Sequence, residues 1–138
     1  MSFNLFRKSQ PVQLDIRQNY KKLAEDFCRQ YYSHYDNNFL ELSHVYYPDS
    51  QFTYQGQEFT GFNTLLKKLF ENGIGKFTHY SMNITSQPIG PSHMLINING
   101  LVSLNDSIFT NKFIETLFVK RDDMNNLHVC STIFKVVE

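Results

Sequence analysis

Apolar residues first fall into register at Ile16, Tyr20, Leu23, Ala24, Phe27, Tyr31 and Tyr35, in steps of three and four that mark one face of a long helix. Asp36-Asn37-Asn38 interrupts this stripe, because short polar side chains compete for backbone hydrogen bonds. The following FLELSHVYY predicts a short second helix ahead of Pro48, so an αα corner opens the fold. The period then changes. FTYQGQEFTG, from Phe52 to Gly61, reads as strand, Gly-centred turn and strand, with Phe52 and Tyr54 on one face. A third helix is predicted from Asn63 to Glu71, with Leu65, Leu66, Leu69 and Phe70 on one side and Gly73 at its end.

The second half of the chain alternates with the two-residue period of strands. Four are predicted, Lys76 to Gln87, His93 to Leu104, Ile108 to Lys120 and Leu127 to Val137, joined by turn-rich stretches into antiparallel hairpins. In the second of them Met94, Ile96, Ile98, Val102 and Leu104 share one face, and Leu95, Asn97, Asn99 and Leu101 share the other. Helices first and a long antiparallel sheet afterwards predict an α+β domain with helices on one face of the sheet. A strongly curved sheet around the first helix would enclose a conical cavity.

Length and composition narrow this picture. With 138 residues, 41% hydrophobic and rich in Phe and Tyr, the chain suits one domain over residues 13–138 behind a loose tail at 1–12. Thirteen basic and thirteen acidic residues cancel, which removes the field that phosphate-backbone binding depends on, so nucleic acid is not an expected partner. No apolar run reaches membrane-span or signal-peptide length, and Cys28 and Cys130 lack metal-site spacing. A soluble, unexported protein with reduced thiols is expected.

Four segments in order, FCRQYYSHYDNN, YYPDSQFTYQGQEFTG, KFTHYSMNITSQP and ININGLVSLNDS, followed by KFIETLFVKRDDMNNLHVCSTIFKV, resemble the nuclear transport factor 2 family over nearly the whole chain after the tail. The resemblance implies a helix-filled cone closed by a bent sheet, a homodimer through the sheet faces, no cofactor, and residence in cytoplasm and nucleus and at the nuclear pore. It implies binding of the GDP form of the GTPase Ran and of Phe-Gly repeat proteins, with no bond chemistry. Carried onto this chain, the Ran-type site comprises Tyr54, Gln55, Leu69, Phe77, Asn105, Asp106, Ser107, Ile133 and Phe134. Tyr20 takes the place of a Trp in Phe-Gly contact, and the dimer face comprises His79, Asn97, Asn99 and Glu115.

Departures from the family pattern fall on these positions. Tyr54-Gln55 replaces a Trp-Glu pair, Asn105-Asp106-Ser107 keeps only the middle of three acids, and Ser131 to Lys135 replaces Asn-Asp-x-Phe-Arg. A partner cation deprived of its carboxylate can lose about 2–5 kcal/mol. Asn97 replaces an apolar Met, and a buried amide must find a partner.

Three other readings stay open, one of them a bare structural module with a filled cavity and no partner. The fold also serves a dimerisation partner in messenger RNA export and a stress-granule-type scaffold. Cone enzymes of the isomerase or dehydratase kind set an ionisable group beside a tyrosine. For that reading Glu115 is the best acid, Tyr80 or Tyr54 the donor and His79 the base, although solvent or the dimer seam is the expected place for Glu115.

Overall fold

The computed structural model describes residues 12–137; the expected tail, apart from Val12, lies outside them. Ile16–Gln18 forms a single 3-10 turn, and helix α1 runs over Tyr20–Asn37. The predicted stripe is therefore broken at Asn19. The Asp15 carboxylate accepts from the Arg17 backbone N–H, and the Ile16 N–H donates to the Pro91 carbonyl at 2.9 Å, pinning this turn to a β-turn across the domain. The predicted second helix is only a 3-10 segment, Phe39–His44. From Tyr46 the chain is already extended as β1, Tyr46–Tyr54. Pro48 is tolerated there because the pairing of β1 with its neighbour shifts register between Tyr46 and Gln51.

Strand β2, Gln57–Thr60, returns from a turn in which Gln55 and Gly56 both have positive φ, as a two-residue hairpin loop requires. Helix α2, Phe62–Glu71, follows. Then come β3 (Phe77–Ile89), β4 (His93–Leu104), β5 (Asn111–Arg121) and β6 (Leu127–Val137). The sheet order is β2-β1-β6-β5-β4-β3, antiparallel throughout except for the β1–β6 pair. Both predicted faces of β4 are observed: Met94, Ile96, Ile98 and Val102 are buried, whereas Leu95 and Asn99 face outward. The predicted fifth strand starts late. Ser107 Oγ accepts from the Phe109 N–H, holding a loop that leaves Ile108 and Phe109 exposed.

A bulge gives β3 its bend. Register shifts between Tyr80 and Asn83, and Ser81 takes φ 51°. On β4, Gly100 lets the backbones close up, since a Cβ there would lie 2.7 Å from the Tyr80 carbonyl oxygen. The resulting concave face wraps α1, whose Ala24, Cys28, Tyr31, Tyr32 and Tyr35 are buried against Ile96, Ile98, Phe113, Leu117 and Val129.

Gly100→Ala forces backbone apart at the bend and is expected to destabilise the domain by about 1–3 kcal/mol. Urea denaturation checks this; an unchanged midpoint would show that the bend tolerates a side chain.

Candidate functional site at the mouth of the cone

The end of α1, the 3-10 segment and the start of β3 meet α2 around a groove of about 680 Å³. Its walls include Tyr35, Phe39, Leu69, Ile74 and Phe77, and Lys76 lies on its edge. Amphipathic α2 turns Leu65 and Leu69 inward, while Phe70, predicted on the same side, is 85% exposed. With Leu40, 66% exposed, Phe70 gives this groove an apolar wall open to solvent.

Of the predicted Ran-type residues, Leu69 and Phe77 line the groove. Phe134 packs edge-on to Phe77 at 6.1 Å between ring centroids and stacks on Tyr54 at 5.3 Å. Tyr54 is thus core material rather than an open wall, and burial pushes its phenol up to about 12. Ile133 is not with them. Strand alternation turns it away from Phe134 onto the convex face, where it is 54% exposed.

The polar members are occupied by the fold. Gln55 Oε1 accepts from the Val136 N–H at 2.6 Å, closing the hairpin onto β6. The Asn105 side-chain oxygen accepts from the Gly75 and Lys76 N–H groups, and its amide donates to the Gly73 carbonyl. The Ser107 carbonyl accepts from Ser103 Oγ. Asp106 pairs with Lys76 at 3.0 Å in the open, a surface ion pair worth little by itself. Asn105 and Asp106 hold the β4–β5 loop against the segment that forms one groove wall. Tyr20, half-buried at the first position of α1, lies roughly 22 Å along the helix from Tyr35 and is not part of the mouth.

The expected dimer face divides. Asn97 and Asn99 lie on the convex side of the sheet, where Asn97 donates to Thr116 Oγ1 at 3.1 Å and Asn99 accepts from Asn83 at 3.3 Å. His79 and Glu115 do not join them. Each alternates onto the concave row, His79 with Phe77 and Glu115 between Phe113 and Leu117, and both are buried.

Glu115 is 1% exposed and accepts from Thr132 Oγ1 at 2.5 Å, Tyr32 Oη at 2.7 Å and Tyr31 Oη at 3.3 Å; Tyr31 also shares a 2.6 Å bond with Tyr46 Oη. Loss of hydration raises the Glu115 pKa, against the opposing pull of these hydroxyls and of His79. Burial foremost, then the Glu115 charge, drives the phenols of Tyr31, Tyr32 and Tyr46 well above their usual value. His79 Nδ1 lies 2.6 Å from Asp36 Oδ1, and its ring is packed against Tyr32, Tyr35 and Phe113. The mouth groove ends at Tyr35, Asp36 and Phe77, short of both groups. Tyr80, the other enzyme-type candidate, is 45% exposed on the convex side. Among the described residues no three His, Cys, Asp or Glu side chains cluster as metal ligands, and no helix is long and apolar enough to cross a membrane.

This order of elements, with a helix inside a curved open sheet, matches a known family. A model of the nuclear transport factor 2 domain matches residues 23–136. The chain belongs to the nuclear transport factor 2 domain family. Nuclear transport factor 2B of Arabidopsis thaliana is 26% identical over 115 residues, 83% of this chain and 91% of the relative. Nuclear transport factor 2 from Cryptosporidium parvum superposes with a TM-score of 0.77 at 17% identity, over 92% of this chain and all of that one. Two further structures show how widely the fold is used. One is the Candida albicans Mtr2-Mex67 M domain complex (TM-score 0.69, 15% identity, 84% of this chain and 93% of that one). The other is a putative scytalone dehydratase from Novosphingobium aromaticivorans (TM-score 0.65, 17% identity, 86% and 85%).

Thr132 donates from its hydroxyl to Glu115. A carboxylate at 132 would face a second carboxylate, so the two positions are physically coupled. Asp36, Leu40, Phe70 and Lys76 were not singled out as site residues from sequence. Their one legible signal was place: Asp36 ends the helical stripe, and Lys76 opens a strand.

An unfolded chain ionises Glu115 near its ordinary value of 4.5, and the fold raises that value. The contribution of this group is therefore most favourable below pH 4.5 and is lost as pH rises through the folded value. Glu115→Gln removes that loss, so the stability of the variant relative to wild type is expected to increase with pH in urea titrations between pH 4 and 8. Parallel curves would place ionisation elsewhere. Glu115→Leu strands the hydroxyls and is expected to destabilise by about 2–4 kcal/mol at pH 5.

Proposed function

We propose that this chain is a protein-binding factor of nucleocytoplasmic transport, which receives a partner segment at the cone mouth and catalyses no reaction. The observation that carries the reading is the solvent-open groove with Leu40 and Phe70 exposed on its wall, above an interior already filled by Tyr35, Phe77, His79 and Phe134. An entering aromatic side chain can pack against Phe39, Leu40 and Phe70 at the mouth. The partners proposed are Ran in its GDP form and Phe-Gly repeat nucleoporins, with Tyr20 as a second aromatic contact. Relatives named as nuclear transport factors support this class of partner, and they support residence in cytoplasm and nucleus and at the pore. Against catalysis, the hydrogen bonds made to the Glu115 carboxylate all come from hydroxyls of the core, and the groove reaches neither Glu115 nor His79.

The convex face supports a second interaction, a homodimer through the sheets. Tyr80, Leu95, Ile114 and Ile133 are exposed there among Asn97, Asn99 and Thr116, a mixed surface on which amides can pair across an interface. The fold match to the Mtr2-Mex67 M domain complex favours a heterodimer in messenger RNA export as the alternative use of this domain.

Immobilised protein should retain Ran in its GDP form or a Phe-Gly peptide at about micromolar strength, near −8 kcal/mol. Leu40→Ser combined with Phe70→Ser should weaken binding tenfold or more while leaving the melting temperature unchanged, because both side chains are already in solvent. Retention of neither ligand by wild type would sink the transport reading in favour of the export or scaffold roles.

By light scattering, wild type should have the mass of a dimer and Ile114→Asp/Ile133→Asp that of a monomer. A monomeric wild type would reject the homodimer, and a stable complex formed only with a different chain would assign the face to a heterodimer.

A further inference from the structure

The sheet ends on β3, whose outer edge is paired with no strand among the described residues. Register fixes what that edge offers. The Arg121 N–H bonds the Ser92 carbonyl, so even-numbered residues of β4 turn their backbone groups to β5 and odd-numbered ones to β3. Asn99, Asn97 and Leu95 therefore bond Asn83, Thr85 and Gln87, and the N–H and C=O of Ile84 and Ser86 point away from the sheet. Pro88, next in that outward series, has no N–H to present, and this is where a sheet edge tolerates proline.

The Ser81 bulge closes this stretch at one end and Pro88 at the other, so the open edge is short and centred on Thr85. No residue from Met82 to Ile89 carries a charge, although exposed edges are commonly guarded by lysine. Charge stands beside the edge instead. Lys21 and Glu25, exposed one turn apart on α1, border a recess of about 260 Å³ with Ile84, Thr85 and Ser86, and neither is in an ion pair or side-chain hydrogen bond among the described residues. An equal and opposite pair beside an uncharged edge is complementary to itself when turned through a two-fold axis.

We propose that this edge pairs with the same edge of a second copy, antiparallel about a two-fold axis through Thr85. Ile84 and Ser86 then exchange main-chain hydrogen bonds with Ser86 and Ile84 of the second copy. Thr85 meets its own equivalent in the intervening pair, where Cα atoms stand about 4.5 Å apart and Thr–Thr contacts are favourable. Asn83 lies opposite Gln87, amide to amide, and the helices bring Lys21 of one copy to Glu25 of the other. The sheet runs on from copy to copy, which leaves the convex face free for the separate contact proposed above. A patch this small sits at the weak, concentration-dependent end of protein interfaces.

Sedimentation velocity of the full chain carrying Ile114→Asp/Ile133→Asp, which disables the convex face, reads the edge alone. Its mean mass should rise toward that of a dimer between about 10 µM and about 1 mM. Ser86→Pro removes an outward N–H that no group of the described chain uses, so it should keep the melting temperature and hold the mass at that of a monomer. At low salt, Lys21→Glu and Glu25→Lys should each weaken association severalfold, and an equimolar mixture of the two should recover it, because unlike copies restore both charge pairs. A mass that stays monomeric across the range would overturn the proposal and give the edge to a strand of another protein. Association that Ser86→Pro leaves intact, or a mixture no stronger than either variant alone, would overturn it as well.

Discussion

Everything in this domain depends on seating an aromatic helix inside a curved sheet. Helix α1 brings Tyr31, Tyr32 and Tyr35 to the concave face, and the hydroxyls of Tyr31 and Tyr32 cannot be left without partners in an apolar interior. Glu115 answers part of that demand from the sheet, accepting from Tyr31 and Tyr32, while Thr132 donates from the neighbouring strand. Hydroxyl donors in turn make the buried carboxylate tolerable. The pair of demands ties α1 to β5 and β6 with directional bonds that dispersion alone would not supply.

Filling the cone has a consequence for recognition. Tyr35, Phe77, His79, Phe113 and Phe134 touch ring to ring, so a partner side chain has no path to the level of Glu115. At the mouth, apolar surface open to contact is left at the rim, where Leu40 and Phe70 remain in solvent. Polar side chains of the rim are employed in holding backbone: Asn105 ties three backbone groups and Gln55 one.

Much of the fold was legible along the chain. Long periodic segments such as β4 and β6 appeared with the predicted ends, because alternation persists over eleven or more residues. FLELSHVYY misled because Val45 and Tyr46 continue an apolar run while the backbone changes from 3-10 turn to strand, guided by pairing with Val129. Phe109 misled in the opposite direction: it has a strand former's side chain, yet a Ser107 bond holds it in a loop. The site was less legible. Ile133 is adjacent to Phe134 in sequence and on the opposite face in space.

Periodicity and turn residues by themselves determined an α+β domain with helices over a long antiparallel sheet, since they rest on local spacing that any fold of this chain must respect; the family came from the resemblance of the ordered motifs. Only the tertiary structure decided that His79 and Glu115 point inward, that Tyr54 and Phe134 are packed away, and which apolar residues stay wet. Those outcomes hinge on strand parity around the Ser81 bulge and on contacts between residues far apart in the chain, where a single inserted residue reverses which side chains face the core.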